Sequence, residues 1–446
     1  MNGGGRPERT VLFLSHRFPP IGGAGVQRIA QLSRYLPAEG YLPLVVTGPG
    51  IVDDRWTPVD DELSGGVEMA SVRRLAGPEP RGTPIEARLE RWLRIRTRWE
   101  KWWSKSVLDL LPAFDGGVDL VHASVAPYST AGTAVEAARR LGRPLVVDLE
   151  DPWALDEMLV YPSRWHRGLE EGRMARSLRG ADVVVMNAPE ARRRVLEAFR
   201  LPPDRVVAIP NAYDPADFSG PAPDRDDGRF RIVHTGSLHT DLGLAQRSSA
   251  RIRQHMLGGG VPEVDLLTRS HVYLLEALGS LFERRPELEA EVEVVFAGVY
   301  TPEDRAVAAR YPFVQLRDFV PHAETVALLR SADLLFLPMY DLPEGRRAGL
   351  VPQKTYEYLA AGPPILAAVP DGDARDLLAA SGVALICRPR DTEAMAQVVL
   401  GEFERRRSGA PRREASPDVL SRCSCERLVR DMVALYDAVA ARVASG

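Results

Sequence analysis

Lys354 and Glu357, three residues apart, lie in the stretch Val351–Ala367, a spacing that turns both side chains to one side of a helix. One reading is a surface ion pair. The other is a ligand clamp, in which the cation takes a phosphate and the carboxylate accepts from the two hydroxyls of a vicinal diol. A nucleotide sugar carries both groups. The spacing predicts a short helix from about Gln353 to Ala361, ended by Gly362 and two prolines. Lys354 then stands on its first turn, where a cation opposes the helix dipole. A polar role is easier to defend for it there than a structural one, and the clamp is favoured.

Two further constellations lie in the first half of the chain. Gly22-Gly23-Ala24-Gly25 follows an apolar strand, Thr10–Ser15, and precedes a helical pattern from Val26 to Leu36. Strand, glycine loop and helix together cradle a phosphate or let a ligand approach the backbone; the alternative is a tight structural turn. The pattern is not G-x-G-x-x-G, so a dinucleotide site has little support. The second constellation, Glu150-Asp151-Pro152-Trp153, follows the strand Pro144–Leu149. A paired acid at a strand end is a candidate site, and an N-cap at Asp151 with Pro152 at N1 is compatible with that role.

The elements that position these residues alternate strand and helix twice. The first series has strands at Thr10–Ser15, Leu42–Thr47, Val118–His122, Pro144–Leu149, Ala181–Met186 and Arg205–Pro210. Pro215–Arg229 reads as a linker. The second series has strands at Phe230–His234, Val292–Ala297, Phe313–Phe319, Asp333–Met339 and Ile365–Val369, with helices Val272–Glu283 and Ala323–Ser331. Thr240–Thr268, polar and containing Gly258-Gly259-Gly260, reads as a long mobile loop. Asp418–Ala444 reads as one closing amphipathic helix. The expected fold is α/β: two Rossmann-like, doubly wound domains facing a central cleft. Residues 1–214 form the acceptor-binding domain, 215–229 the linker, 230–415 the nucleotide-sugar domain and 416–446 the closing helix.

Between Arg81 and Lys105 there are eight basic residues against three acidic ones. Leu89, Trp92, Trp99, Trp103 and Val107 fall near one helical face. Trp among Arg and Lys on an amphipathic helix suits an anionic membrane surface, which makes residues 88–107 a candidate contact. A helix packed on its own domain with basic side chains on its rim is the competing reading.

At 446 residues, 45% hydrophobic and 26% charged, the chain has the composition of a globular protein of about two domains. A net charge of −4 argues against broad nucleic-acid binding. Three cysteines make no disulfide framework, no Cys/His set has zinc spacing, and Met1–Arg9 has no apolar signal core. The expected location is the cytoplasm, with a peripheral position at the inner face of the membrane if residues 88–107 bind lipid.

Taken together, these marks resemble the retaining GT-B glycosyltransferases of the large family 4 group. The resemblance rests on Gly22–Gly25, Asp119–Ala123, Asp148–Trp153, Pro210–Asp214, His234–Leu238, Ser331–Asp333 and, most specifically, Lys354–Gly362. It implies transfer of a sugar from a UDP- or GDP-linked donor, as co-substrate, to an acceptor hydroxyl, without a cofactor or metal. The acceptor is unknown. Glu357 matches the glutamate that holds the ribose hydroxyls, Gly236 and Ser237 lie under the diphosphate, and Gly298 with Val320 and Pro321 lies near the base. Gly22, Gly23 and Gly25 close over the donor, Gln353 and Lys354 meet phosphate and sugar, and His122 and Trp153 face the acceptor. Catalytic roles fall to Glu150, Asp151, Arg269 and Lys354.

There are departures from the family pattern. Gly349 stands where the family often has a second glutamate, so sugar orientation must rest on backbone around Leu350–Gln353 or on Lys354. No cation directly follows the Gly236 turn, which leaves Arg269, with Arg247 second, to meet the diphosphate. Glu150 replaces the family's histidine. A hexosamine 2-epimerase of the same fold and an inactive nucleotide-sugar-binding partner subunit are the alternatives.

Overall fold

The computed structural model describes residues 9–50, 59–65, 67, 70–77, 79–80, 82–93, 96–225, 227–261 and 263–445. Most of the polar N-terminus, Arg81 and Arg94 of the basic stretch, and Asp226 and Pro262 lie outside the described residues. The chain divides into two compact units. One comprises Met1–Asp156, Tyr161–Asn211 and Cys425–Gly446. The other comprises Glu157–Val160 and Ala212–Ser424.

The first unit is built on seven parallel strands: β1 (Arg9–Ser15), β2 (Tyr41–Thr47), β3 (Ser71–Arg74), β4 (Leu120–Ser124), β5 (Leu145–Leu149), β6 (Val183–Met186) and β7 (Val206–Ala208). Their order is β3-β2-β1-β4-β5-β6-β7. Val11–Leu14 of β1 are fully buried, as expected of a central parallel strand covered on both faces. β3 was not expected: Ser71-Val72-Arg73-Arg74 is a short, mostly exposed edge strand without an apolar run.

The second unit has six parallel strands: β8 (Phe230–Thr235), β9 (Val292–Ala297), β10 (Val314–Arg317), β11 (Leu334–Pro338), β12 (Ile365–Ala368) and β13 (Ala384–Cys387). Their order is β10-β9-β8-β11-β12-β13. In both sheets the order reverses at the first strand of the unit. Ligands of doubly wound folds lie beyond the carboxyl ends of the strands flanking such a reversal. In the first unit β1, with the glycine loop after it, flanks the reversal; in the second it is β8, with Gly236 after it.

Three expectations about individual elements change. Thr240–Thr268 is not an unstructured loop: it holds the helices Thr240–Gln246 and Ser249–Met256, and Asp265 bridges to Asp341. Glycines and short, polar helices concealed that order. The closing helix is two helices, Pro417–Arg422 and Cys425–Ser445, and the second belongs to the first unit.

The candidate membrane helix is also two, Pro84–Leu93 and Arg98–Leu110. Thr97 starts the second with a capping box to Glu100. Trp103 and Val107 are fully buried. The Trp99 indole N–H donates to Glu79 (2.8 Å) and its ring stacks on Trp103. In this half Trp103 and Val107 pack into their own unit. Among the described residues no helix is long and apolar enough to cross a membrane.

Candidate functional site

In the second unit the site grows from the end of β8. The chain turns at Gly236 with φ of 97°, a conformation glycine adopts without strain. A β-carbon on Gly236 would lie 2.9 Å from Lys354 Nζ, and one on Gly298 would lie 2.6 Å from the Gly236 carbonyl oxygen. Gly298 is therefore required by close approach to backbone, and Gly236 by its φ. Ser237 follows, partly exposed.

The Lys354 amine reaches this turn from the helix Lys354–Ala361, which Gly362 ends at φ of 99°. Nζ donates to the Thr235 carbonyl (2.7 Å) and meets His234 Nε2 (3.2 Å). His234 Nδ1 lies 2.9 Å from the Phe336 carbonyl, which only accepts, so Nδ1 carries the proton and Nε2 is left as an acceptor for Lys354. Burial, and then the charges of Lys354, His271 and Arg269, hold His234 neutral. Burial, then the positive charge of Arg269, brings Lys354 down to about 7; Glu357 opposes the shift. Glu357 itself is buried, which excludes a surface ion pair.

The structure thus brings Gly236, Gly298 and Lys354 together, with the charge of Arg269 acting on the Lys354 amine. The Arg269 backbone carbonyl accepts from His239 N–H at the head of the helix Thr240–Gln246, so the structured insertion fixes its position. Arg247 is elsewhere, beside Tyr273 and Asp265. Gln353 donates its side-chain amide to the Ala212 carbonyl (2.8 Å) and so anchors the start of the helix. Val320 and Pro321 precede the helix His322–Arg330. Val320 lines a cavity of about 250 Å³ with Pro223 and Arg225, and neither Gly236 nor Lys354 lines it.

Sequence reasoning missed Glu157. This buried carboxylate accepts from the Gly349 backbone N–H (3.1 Å) and lies 3.4 Å from the Tyr340 hydroxyl. A carboxylate therefore stands against the residue that lacks one. No local signal could reveal a contact across 192 residues.

In the first unit Gly22 is buried, Gly23 has φ of 105°, and the helix Ala24–Tyr35 begins directly after it. A β-carbon on Gly25 would lie 3.3 Å from Glu150 Oε2. The other carboxyl oxygen of Glu150 is buried without a hydrogen-bond partner. Burial first, then the charges of Asp151 and Asp148, pushes Glu150 up to about 8, so its carboxyl is mostly protonated at neutral pH. Asp151 is exposed. It does not start a helix, since the short turn Trp153–Leu155 is preceded by Pro152 instead.

His122 cannot face an acceptor. It is fully buried in β4 at the centre of the sheet, 2.8 Å from the Tyr436 hydroxyl and 3.4 Å from Asp148. Burial opposes ionisation of Asp148, but the Arg28 guanidinium (2.7 Å) and His122 hold its carboxyl below the usual range. Trp153 is placed differently. It has φ of 47°, unusual for a non-glycine residue and a form of strain concentrated at functional sites. Its indole donates to Glu170 (2.9 Å) and its ring stacks on Tyr128 at 5.1 Å. With Tyr128, Arg173 and Arg176 it lines a cavity of about 800 Å³.

Two doubly wound parallel sheets, with a glycine turn after the first strand of each, define the GT-B class. Residues 22–212 match the glycosyl transferase 4-like domain, and residues 267–402 match glycosyl transferases group 1. Between them the matches take in most of the chain, whose fold is that of GT-B glycosyltransferase structures. A search of curated proteins finds no match. Among solved structures, a glycosyltransferase from Rickettsia africae is similar with a TM-score of 0.60 at 15% identity, covering 97% of this chain and 98% of that one. Anabaena HepE in complex with UDP and glucose also gives 0.60 at 15% identity, covering 97% and 100%. The α,α-trehalose 6-phosphate synthase from Burkholderia multivorans gives 0.58 at 14% identity, covering 99% and 98%.

Proposed function

We propose that this protein transfers a sugar from a nucleoside diphosphate sugar to an acceptor hydroxyl, with retention at the anomeric carbon and without a metal ion. The convergence of the Lys354 amine on Gly236, with the charge of Arg269 close by, carries the reading. A departing diphosphate gathers negative charge, which the Lys354 amine, protonated on binding, and Arg269 would meet. Glu357 accepts from the ribose hydroxyls, and Glu157, braced by the Gly349 N–H, orients the transferred sugar. The similarity to HepE, solved with UDP and glucose, makes a UDP-hexose the first donor to try. The acceptor enters the cavity at Tyr128 and Trp153.

A second reading, a nucleotide-sugar 2-epimerase, is favoured by one observation. Glu150, beside Gly25 and with an unpartnered carboxyl oxygen, could exchange protons with a sugar carbon. The test is incubation of the full chain with UDP- and GDP-sugars, with and without a panel of acceptors. Acceptor-dependent diphosphate release with an axial-for-axial product supports the proposal. A free isomerised nucleotide sugar identifies an epimerase. Nucleotide binding without turnover across the panel identifies a non-catalytic partner subunit.

A further inference from the structure

The helix Pro84–Leu93 turns large apolar side chains away from its own unit. Ile85 is 73% exposed, Leu89 52%, Trp92 58% and Leu93 56%. Their spacing of i, i+4, i+7 and i+8 places all four on one face. The face continues onto a second helix, Arg164–Arg179, where Trp165 is 62% exposed. His166 joins the two. Its Nε2–H donates to the Trp92 carbonyl (3.0 Å), and its Nδ1 accepts from the Ser163 hydroxyl (2.8 Å). Its ring lies edge-on to Trp92 at 5.2 Å and to Trp165 at 5.0 Å. The outward position of both indoles is thus fixed by a buried histidine rather than left to a loose surface helix.

The charge around this face has one sign in excess. Residues 84–98 contain five arginines against Glu86 and Glu90. Glu86 is paired with Arg98 (2.5 Å), and Glu90 accepts from the Arg98 backbone N–H. Arg88, Arg96 and Arg164 are exposed. Aliphatic tips, two indoles and a guanidinium rim are the composition that settles at the boundary between lipid headgroups and acyl chains. An acidic protein partner would match the rim but not five large apolar side chains, whereas an anionic bilayer matches both.

We propose that this protein docks on anionic membrane through the face formed by Ile85, Leu89, Trp92, Leu93 and Trp165. The contact lies on Pro84–Leu93 and the start of Arg164–Arg179. Trp99 and Trp103, turned inward around His16, take no part.

The test is sedimentation of the full chain with vesicles of phosphatidylcholine containing about one-third phosphatidylglycerol. Binding should occur at low salt, weaken as salt is added, and be absent from pure phosphatidylcholine vesicles. Trp92→Ser with Trp165→Ser should reduce partitioning by about tenfold or more, while a UDP-induced thermal shift stays as in the wild type. Leu89→Gln with Leu93→Gln gives an independent reading if the tryptophan variant misfolds. No sedimentation at low salt, or equal sedimentation of a folded variant, overturns the proposal. So does a dimer in gel filtration that these variants dissociate, since the face would then bind a second copy.

Discussion

The side-chain amine of Lys354 lies 2.9 Å from where a β-carbon on Gly236 would stand. Any other residue at 236 would push the amine away and also strain a backbone at φ of 97°. The same closeness keeps the amine out of water, which is the first cause of its low proton affinity.

Lys354 titrates at about 7 in the free protein. A diphosphate selects the protonated amine, so UDP affinity should fall as pH rises from 7 to 9, by at most about tenfold per unit for one proton. Calorimetry in buffers of different ionisation enthalpy should show proton uptake at pH 8. In Lys354→Met the uptake should vanish and affinity should be low at all pH. A flat wild-type profile excludes the assignment. The same shift means that the unfolded chain holds more protons between pH 7 and 10.5, so this group makes stability rise with pH across that window.

Arg269→Ala should lose turnover far more than donor affinity, because its charge matters most as the diphosphate departs. Arg269→Lys should rescue only in part, since an ammonium does not reproduce bidentate contact with phosphate oxygens. Near-normal kcat in the alanine variant would transfer the role to another cation.

The two carboxylates should separate nucleotide from sugar. Glu357→Gln is expected to weaken UDP binding by about tenfold or more, the cost of losing a charged acceptor. Glu157→Gln keeps an oxygen for the Gly349 N–H and so preserves the loop. It should leave UDP affinity unchanged while lowering turnover with UDP-sugar. Equal loss of UDP affinity in both variants would show that Glu157 has no separate task.

Glu150 binds its proton more tightly folded than unfolded, with a folded value of about 8 against an ordinary 4.5. Its contribution to stability is fully present below about 4.5, declines as pH rises, and is lost above about 8. Glu150→Gln should therefore raise Tm relative to wild type at pH 8.5, by about 2–4 °C per kcal/mol. The gap should close near pH 4.5. A gap of the same size at both pH values would mean that Glu150 is not the titrating group.

Local patterns were readable in the sequence. The strand and glycine at Phe230–Gly236 and the helix at Lys354–Ala361, with its glycine stop, each depend on neighbouring residues. Arg269 was a candidate for the diphosphate because few cations lie between Gly236 and the next helix. The surroundings of Trp99 and Trp103 were not, since an amphipathic helix has the same periodicity whether its apolar face meets its own domain or lipid. His122 looked available because its motif ends a strand, yet it pairs with Tyr436, 314 residues later. Glu157 stayed hidden for the same reason of sequence distance.

That pairing has a consequence for how the protein is made. Tyr436 is fully buried, and Leu428, Val429 and Met432 are buried with it, all within the first unit. They emerge from the ribosome only after the whole stretch Ala212–Ser424. At typical synthesis rates that stretch takes roughly ten to forty seconds, counted from Asn211. Throughout that interval the nascent first unit has a gap in its core beside His122, and the second unit can finish folding before it.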